Sequence, residues 1–144
     1  MRKLPGEHYS NNINARFWLL GKAGEDQTYV GIGRIELLEK IAQYGSMNRA
    51  AKEMGMSYKK AWKLIEELNA FSEQPLVIKA QGGVSGGGTR LTAQGKKVIE
   101  QFRAFEQRFK AFLQQESQQM ESVLTASASH VNKNSFTWNP FTCA

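Results

Sequence analysis

A short basic stretch at residues 57–63 carries the side chains best suited to binding chemistry. Its hydroxyl, cationic and aromatic side chains are Ser57, Tyr58, Lys59, Lys60, Trp62 and Lys63. The stretch contains no aspartate or glutamate, and the next acidic residue along the chain is Glu66. Ammonium and hydroxyl groups donate hydrogen bonds to phosphates, so the stretch predicts a surface for a polyanion such as nucleic acid. An ordinary solvated helix face is the alternative.

The glycine-rich segment at residues 81–88 is the second candidate for binding chemistry, with five glycines in eight positions. It fails as a P-loop, because no Gly-Lys-Ser/Thr sequence closes it before a helix. It also fails as a dinucleotide site, because no strand-loop-helix unit places an acidic residue about twenty positions further on. A flexible loop between Lys79 and Arg90, with Ser85 and Thr89, fits a DNA backbone or minor groove better. A plain hairpin loop is the alternative.

Side chains for catalysis or metal binding are sparse. His8 and His130 are isolated, and Cys143 is the single cysteine, so no internal disulfide and no cysteine-based metal site is expected within one chain. The sequence shows no Ser/His/Asp set and no paired carboxylates in a plausible cleft. We therefore expect no enzyme, no cofactor and no metal.

The composition is that of one ordinary folded domain with a tail. The chain has 144 residues, of which 41% are hydrophobic and 22% charged. Its net charge of +6 weakly favours a polyanionic partner, although a merely basic domain is an equal alternative. No apolar run is long enough to span a membrane, and residues 1–7 lack the apolar segment of a secretory signal. The expected compartment is the cytoplasm.

The first half of the chain changes from strand-like to helical spacing. Residues 1–14 are predicted to be a flexible lead-in, and the apolar runs at 15–20 and 28–30 predict a β-hairpin around a glycine-containing turn. From Gly33 the spacing becomes helical, and glycines and serines separate three helices by very short joints. The predicted helices run from 33 to a C-cap at Gly45, from Met47 to Met54 after Ser46, and from Tyr58 to Phe71 after Ser57.

The second half predicts a strand at 75–80, a returning strand at 89–91, a helix at 92–119 capped by Thr92, and a mostly disordered tail at 120–144. This order is typical of a winged helix-turn-helix at 15–91, a mainly α fold with small β elements, in which the third helix enters DNA. The candidate DNA contacts lie on the second helix, the third helix and the wing. They are Ser46, Asn48, Arg49, Ser57, Tyr58, Lys59, Lys60, Trp62, Lys63, Lys79, Ser85, Thr89 and Arg90.

The helix at 92–119 has an apolar seam with coiled-coil spacing of four and three residues. Its members are Val98, Phe102, Phe105, Phe109 and Phe112. Such a stripe is too apolar to leave in water, so it predicts a homodimer through this helix. The alternative is that the seam packs against the core of its own domain. This alternative accounts for Val98 and Phe102 better than for Phe109 and Phe112.

Residues 45–52 (GSMNRAAK) and 55–62 (GMSYKKAW) resemble the N-terminal DNA-binding domain of molybdate-responsive ModE-type regulators, which are related to LysR-type regulators. The segments 31–38 and 90–95 and the glycine-rich wing are similar to the same family. The resemblance covers about residues 15–113. It implies a dimeric winged helix-turn-helix that binds operator DNA.

Full-length members of that family sense molybdate through a C-terminal domain. Only 25 residues follow Gln119, so the sequence predicts a stand-alone DNA-binding member that does not bind molybdate. A sequence-specific, homodimeric transcriptional regulator is the first interpretation. A nonspecific nucleoid-type DNA-binding protein and a winged-helix adaptor for protein interactions are the alternatives.

Overall fold

The computed structural model describes residues 7–8, 12–21, 29–80 and 88–125. The described part of the chain consists of helices and short antiparallel strand pairs, which confirms the predicted mainly α class. The strands are β1 (Glu7–His8), β2 (Asn14–Ala15), β3 (Leu19–Leu20), β4 (Tyr29–Val30), β5 (Val77–Lys79) and β6 (Thr89–Leu91). The helices are α1 (Ile32–Tyr44), α2 (Met47–Glu53), α3 (Tyr58–Phe71) and α4 (Ala93–Leu124).

Glycine and serine define the joints between α1, α2 and α3. Gly45 ends α1 with φ of 60°, and its N–H donates to the Ile41 carbonyl at 2.8 Å. Gly55 has φ of 65° in the next joint, a left-handed conformation that costs glycine little. Ser46 and Ser57 then cap α2 and α3, each accepting a backbone hydrogen bond from the residue three positions on. These caps fix the angles between successive helices.

The core lies where α1, α2 and α3 cross. Ile35, Leu38 and Ile41 of α1 are fully buried, as are Ile65 and Leu68 of α3. Helix α2 contributes mainly small side chains to this crossing. Ala50 and Ala51 are at most 1% exposed, and their small size lets the helix axes approach closely. Large residues there would separate the helices, so these two alanines set the position of α3.

The pair β5–β6 is anchored to the end of α3 by one amide side chain. Asn69 Oδ1 accepts hydrogen bonds from the N–H groups of Leu76 and Val77, and its Nδ2 donates to the Val77 carbonyl. The strands pair antiparallel, with Val77 opposite Leu91 and Lys79 opposite Thr89. The β5–β6 pair is therefore held against the same helix that carries the lysines.

Helix α4 begins after Thr92, as predicted, but it ends at Leu124 rather than near residue 119. The sequence after Gln119 contains no glycine or proline before that end, so nothing in the backbone interrupts the helix. Residues 120–124 are therefore helical rather than part of the predicted tail, and residues 126–144 lie outside the described residues. The Arg103 guanidinium ties α4 to α1 by two hydrogen bonds of 2.8 Å to Glu39, which raise the pKa of Arg103.

The segment at 1–14, which the sequence predicts to lack regular structure, contains a strand pair in the part that the structure describes. Glu7–His8 pairs antiparallel with Asn14–Ala15. Asn12 Nδ2 donates to the Ser117 carbonyl at 3.2 Å, and Ser117 Oγ donates to Asn12 Oδ1 at 2.6 Å. Strand pairing and these side-chain bonds order a segment that has little apolar periodicity of its own. The predicted hairpin is present as β3 paired with β4.

Candidate nucleic-acid interface

The first half of α3 presents its lysines to solvent. Ala61 and Ile65 are fully buried beneath it, while Lys59, Lys60 and Lys63 are exposed. Residues four apart lie on one helix face, so Lys59 and Lys63 point the same way, opposite the buried stripe. The predicted basic face is thus the outward face of the helix.

Acidic side chains enter α3 only in its second half. Glu66 is exposed, and Glu67 forms an ion pair with Arg34 of α1. The side chain of Arg34 is 13% exposed in this pair. The charge of Glu67 is therefore balanced, and the net charge at the start of α3 is positive.

Trp62 joins α3 to the wing, defined here as β5, β6 and the connecting residues 80–88. The Lys79 ammonium lies 4.3 Å from the centroid of the half-buried Trp62 ring. Tyr58 also contacts Trp62, in an edge-to-face arrangement with 6.1 Å between the two ring centroids. The structure thus brings three predicted site residues, Tyr58, Trp62 and Lys79, into one contiguous group.

The base of the wing is fixed to the joint between α1 and α2. The Ala80 N–H donates to the Gly88 carbonyl at 2.7 Å, and the Thr89 N–H donates to the Gly45 carbonyl at 3.0 Å. Arg90 is exposed, but Thr89 is 7% exposed and faces the protein. Thr89 is therefore not on the accessible face, contrary to its place among the predicted contacts, because side chains alternate along β6. Residues 81–87, including Ser85, lie outside the described residues.

The start of α2 forms an open groove with a positioned arginine. Ser46 Oγ accepts the Arg49 N–H at 3.3 Å, and Ser46, Asn48 and Arg49 line the groove with Lys52 and Glu53. The Arg49 guanidinium lies 4.4 Å from the Tyr44 ring centroid. The sequence analysis did not identify Tyr44 as a residue that positions Arg49. The one feature of the sequence that could have indicated it is its place directly before the Gly45 cap.

A second group missed from the sequence lies at the β3–β4 hairpin. Arg16, Trp18 and Tyr29 line an open cleft that extends to Lys60 of α3. The signal was the alternation of Arg16 and Trp18, which places both on one side of an extended segment. This surface is taken up below.

The seam of α4 is partly covered by the chain itself. Phe102 is 1% exposed, and Phe17 stacks on it at 5.0 Å between ring centroids. Phe17 also meets Phe105 at 4.9 Å and Phe109 at 5.4 Å, both edge-on. Val98 packs against the core. Contacts within the chain therefore cover more of the seam than Val98 and Phe102, because they extend to Phe105 and Phe109.

Apolar surface nevertheless remains exposed along α4 from Phe105 onward. Phe105 is 41% exposed and Phe112 56% exposed. Near the end of the helix, Met120, Val123 and Leu124 are between 47% and 71% exposed. Phe105 and Phe112 belong to the predicted seam, whereas Met120, Val123 and Leu124 extend the exposed apolar surface beyond it.

Neither a metal site nor a membrane span is found in the described ranges. No group of three metal-ligating side chains occurs among residues 7–8, 12–21, 29–80 and 88–125. No helix in that part of the chain is both long and apolar enough to cross a bilayer. The prominent chemistry of the described surface is basic and aromatic, around α3, α2 and the wing.

These elements define a winged helix-turn-helix, with α2 and α3 as the helix pair and β5–β6 as the wing. In agreement, residues 32–96 match the model of the bacterial regulatory helix-turn-helix proteins of the lysR family. That range runs from the start of α1 into the first turn of α4. Residues 32–96 are thus similar to the helix-turn-helix unit of the lysR-family proteins.

Relatives with ModE in their names are similar to the N-terminal part of the chain. The molybdenum transport protein ModE of Azotobacter vinelandii is 42% identical over 90 residues, which are 62% of this chain and 33% of that protein. The transcriptional regulator ModE of Haemophilus influenzae is 42% identical over 98 residues, 66% of this chain and 38% of that protein. The DNA-binding transcriptional dual regulator ModE of Escherichia coli K12 is 49% identical over 67 residues, 46% of this chain and 26% of that protein.

The predicted resemblance to ModE-type regulators is confirmed over this part of the chain. The chain spans about a third of the length of the curated relatives it matches. The likeness therefore concerns the N-terminal part of this chain and the smaller part of each relative.

Proposed function

We propose that the chain is a sequence-specific DNA-binding transcriptional regulator that acts as a homodimer. The observation that carries the proposal is the outward face of α3, where Lys59 and Lys63 are exposed on a helix capped by Ser57. A recognition helix contacts base edges with its N-terminal residues, and that end of α3 is the one free of acids. The LysR-type match of residues 32–96 and the regulator names of the relatives support the same function.

The elements beside α3 supply the contacts that orient such a helix. Arg90 and Lys79 on the wing, and Asn48 and Arg49 at the start of α2, are exposed and basic or amide-bearing. Contacts from such side chains to phosphates set the register of a protein on the duplex, whereas base contacts set its sequence preference. We assign the wing and α2 to the first role and the N-terminal half of α3 to both roles, since its lysines can also contact phosphates.

Selection of bound sequences from random duplex, followed by affinity measurements at several salt concentrations, tests the proposal. A regulator is expected to enrich one motif and to prefer it over random DNA by about 10³ or more. A nonspecific nucleoid-type protein would show a steep salt dependence without an enriched motif. An adaptor would show no salt-dependent affinity for duplex. Either of the latter results would contradict the proposal.

The homodimer is proposed from the uncovered apolar surface of α4. Phe112 is 56% exposed, and Val123 and Leu124 are more exposed still. A helix that extends well beyond the domain core gains its stability chiefly from packing of an apolar face, and a second copy of α4 would supply that packing. Pairing would also duplicate α3, so that the dimer reads two half-sites about 10–10.5 bp apart or a multiple of this spacing.

The proposed function requires neither catalysis nor molybdate. The residues assigned to DNA all lie on α2, α3 and the wing, so adding molybdate is expected to leave the affinity of the chain for its duplex unchanged. Calorimetric titration of molybdate is likewise expected to give no heat at micromolar ligand. Tight stoichiometric binding would contradict this part of the proposal. The cytoplasm is the proposed compartment, because the duplex DNA of a bacterial cell lies there.

A further inference from the structure

A second basic surface lies beside α3, on the side away from the wing. Two adjoining open clefts share Arg16, Trp18 and Tyr29, and one of them extends to Lys60 and Leu64 of α3. We call this surface the hairpin cleft, because three of its side chains flank the β3–β4 hairpin. The prediction of DNA contacts from sequence included Lys60 but none of the hairpin residues.

The hairpin cleft combines half-exposed aromatic rings with guanidinium groups. Trp18 is 47% exposed and Tyr29 49% exposed. The Arg16 guanidinium carbon lies 5.3 Å from the Trp18 ring, and that of Arg34 lies 4.9 Å from the Tyr29 ring. Trp18 also lies close against the backbone, since a Cβ at Gly31 would be 2.9 Å from its Cδ1. The ring is thus held in place while one side of it remains open.

The charge of the hairpin cleft is positive. Its described lining contains the bases Arg16, Arg34 and Lys60 and no acidic residue. Arg34 is paired with Glu67, so Arg16 and Lys60 supply the net charge. An anion beside apolar groups is the ligand chemistry that this combination fits, and a sugar-phosphate backbone has that chemistry.

The position of the hairpin cleft relative to the wing favours DNA over a small anion. Lys60 and Trp62 are two residues apart on α3, so at about 100° per residue they point to nearly opposite flanks. Trp62 contacts the wing through Lys79, and Lys60 lines the hairpin cleft, with Lys59 and Lys63 between the two flanks. A helix in the major groove has a sugar-phosphate backbone on each side.

We propose that the hairpin cleft binds the DNA backbone on the flank of α3 opposite the wing. Arg16 and Lys60 bind a phosphate, while the rings of Trp18 and Tyr29 pack on the neighbouring deoxyribose. The proposal rests on the proposed function, because it requires α3 to lie in the major groove. A small aromatic anion is disfavoured, because the cleft is too open to bury most of such a ligand.

Substitutions that separate charge from packing test the proposal in the full chain. Arg16→Gln removes the charge but keeps a long side chain over Trp18, and it is expected to lower the salt slope of duplex binding by about one. Arg16→Lys is expected to restore that slope. Trp18→Leu is expected to weaken binding several-fold at an unchanged slope. Lys110→Gln, which removes one exposed positive charge on α4, is the matched control and is expected to change neither quantity.

Hydroxyl-radical footprinting then locates the contact. Arg16→Gln is expected to lose protection of the backbone on one flank of the half-site, and Arg90→Gln on the other flank. An unchanged slope and footprint for Arg16→Gln would overturn the proposal. So would calorimetric binding of salicylate, a planar aromatic anion, that Trp18→Leu abolishes, together with an unchanged footprint. A wild-type chain without duplex affinity would instead refute the proposed function, which keeps the two failures distinct.

Discussion

The ammonium group of Lys79 lies over the ring of Trp62, 4.3 Å from its centroid. Lys79 ends β5 and Trp62 lies in the first half of α3, so this contact joins the wing to the proposed recognition helix. Tyr58 packs edge-on against the same ring. The distance between two surfaces assigned to DNA is therefore set by one half-buried indole.

Replacement of Trp62 is expected to loosen the wing. Cation–π contacts of this kind contribute about 0.5–1 kcal/mol at exposed sites, so Trp62→Ala is expected to weaken duplex binding by roughly two- to fivefold through this contact alone. Trp62→Phe keeps a ring beneath Lys79 and is the matched control, with a smaller expected loss. Fluorescence anisotropy with a labelled duplex measures both. Equal affinities of Trp62→Ala and the wild-type protein would show that the contact does not support binding.

The lysines on the outward face of α3 are expected to govern the salt dependence of binding. Changing Lys59 and Lys63 together to alanine is expected to reduce the slope of log affinity against log salt by about two, because each phosphate contact contributes about one. Changing Lys97 and Lys110 of α4 together removes the same charge from exposed positions elsewhere. If both double variants give the wild-type slope, α3 does not contact phosphates.

Two helical glycines are expected to respond oppositely to alanine. A Cβ at Gly95 would clash with the Leu76 carbonyl oxygen and lie 2.8 Å from Leu91 Cδ1, so Gly95→Ala must displace α4 or the backbone directly before β5. Overpacking of this kind costs about 1–3 kcal/mol of unfolding free energy. Gly33 has nothing within 4 Å of the same position, so Gly33→Ala is expected to stabilise α1 by up to about 1 kcal/mol. Urea unfolding compares the two, and similar midpoints would contradict the packing at Gly95.

The local signals in the sequence predicted the helix-turn-helix almost residue by residue. Helix α3 begins after the cap Ser57 and ends at Phe71, as predicted, and Gly45 and Ser46 separate α1 from α2. Capping residues act on their own neighbours, so a single sequence reveals them. For the site, the same signals predicted which α3 side chains are exposed.

Contacts between distant segments could not be predicted in this way. The packing of Phe17 on α4 depends on where the N-terminal segment crosses the helix, which no periodicity encodes. Burial of Thr89 similarly follows from the approach of the wing to Gly45. The alternation of Arg16 and Trp18 places them on one side of the chain, but it does not show that they lie in one cleft with Lys60 of α3. Tertiary placement, rather than residue type, decided each of these cases.

The exposed phenylalanine on the outer half of α4 is expected to hold the dimer together. Phe112 is 56% exposed, whereas Phe109 packs against Phe17, so Phe112→Glu perturbs the outward seam with little effect on the chain's own core. A charge placed in a paired apolar seam would be desolvated, and the variant is expected to be a folded monomer in sedimentation at tens of micromolar. Gln107→Glu adds the same charge on the far side of α4 and is expected to remain a dimer. Because a single module contacts too little DNA for tight specific binding, the affinity of Phe112→Glu for a two-half-site duplex should fall at least tenfold, an order-of-magnitude expectation. A wild-type monomer at those concentrations, or a dimeric Phe112→Glu, would exclude this seam as the dimer contact.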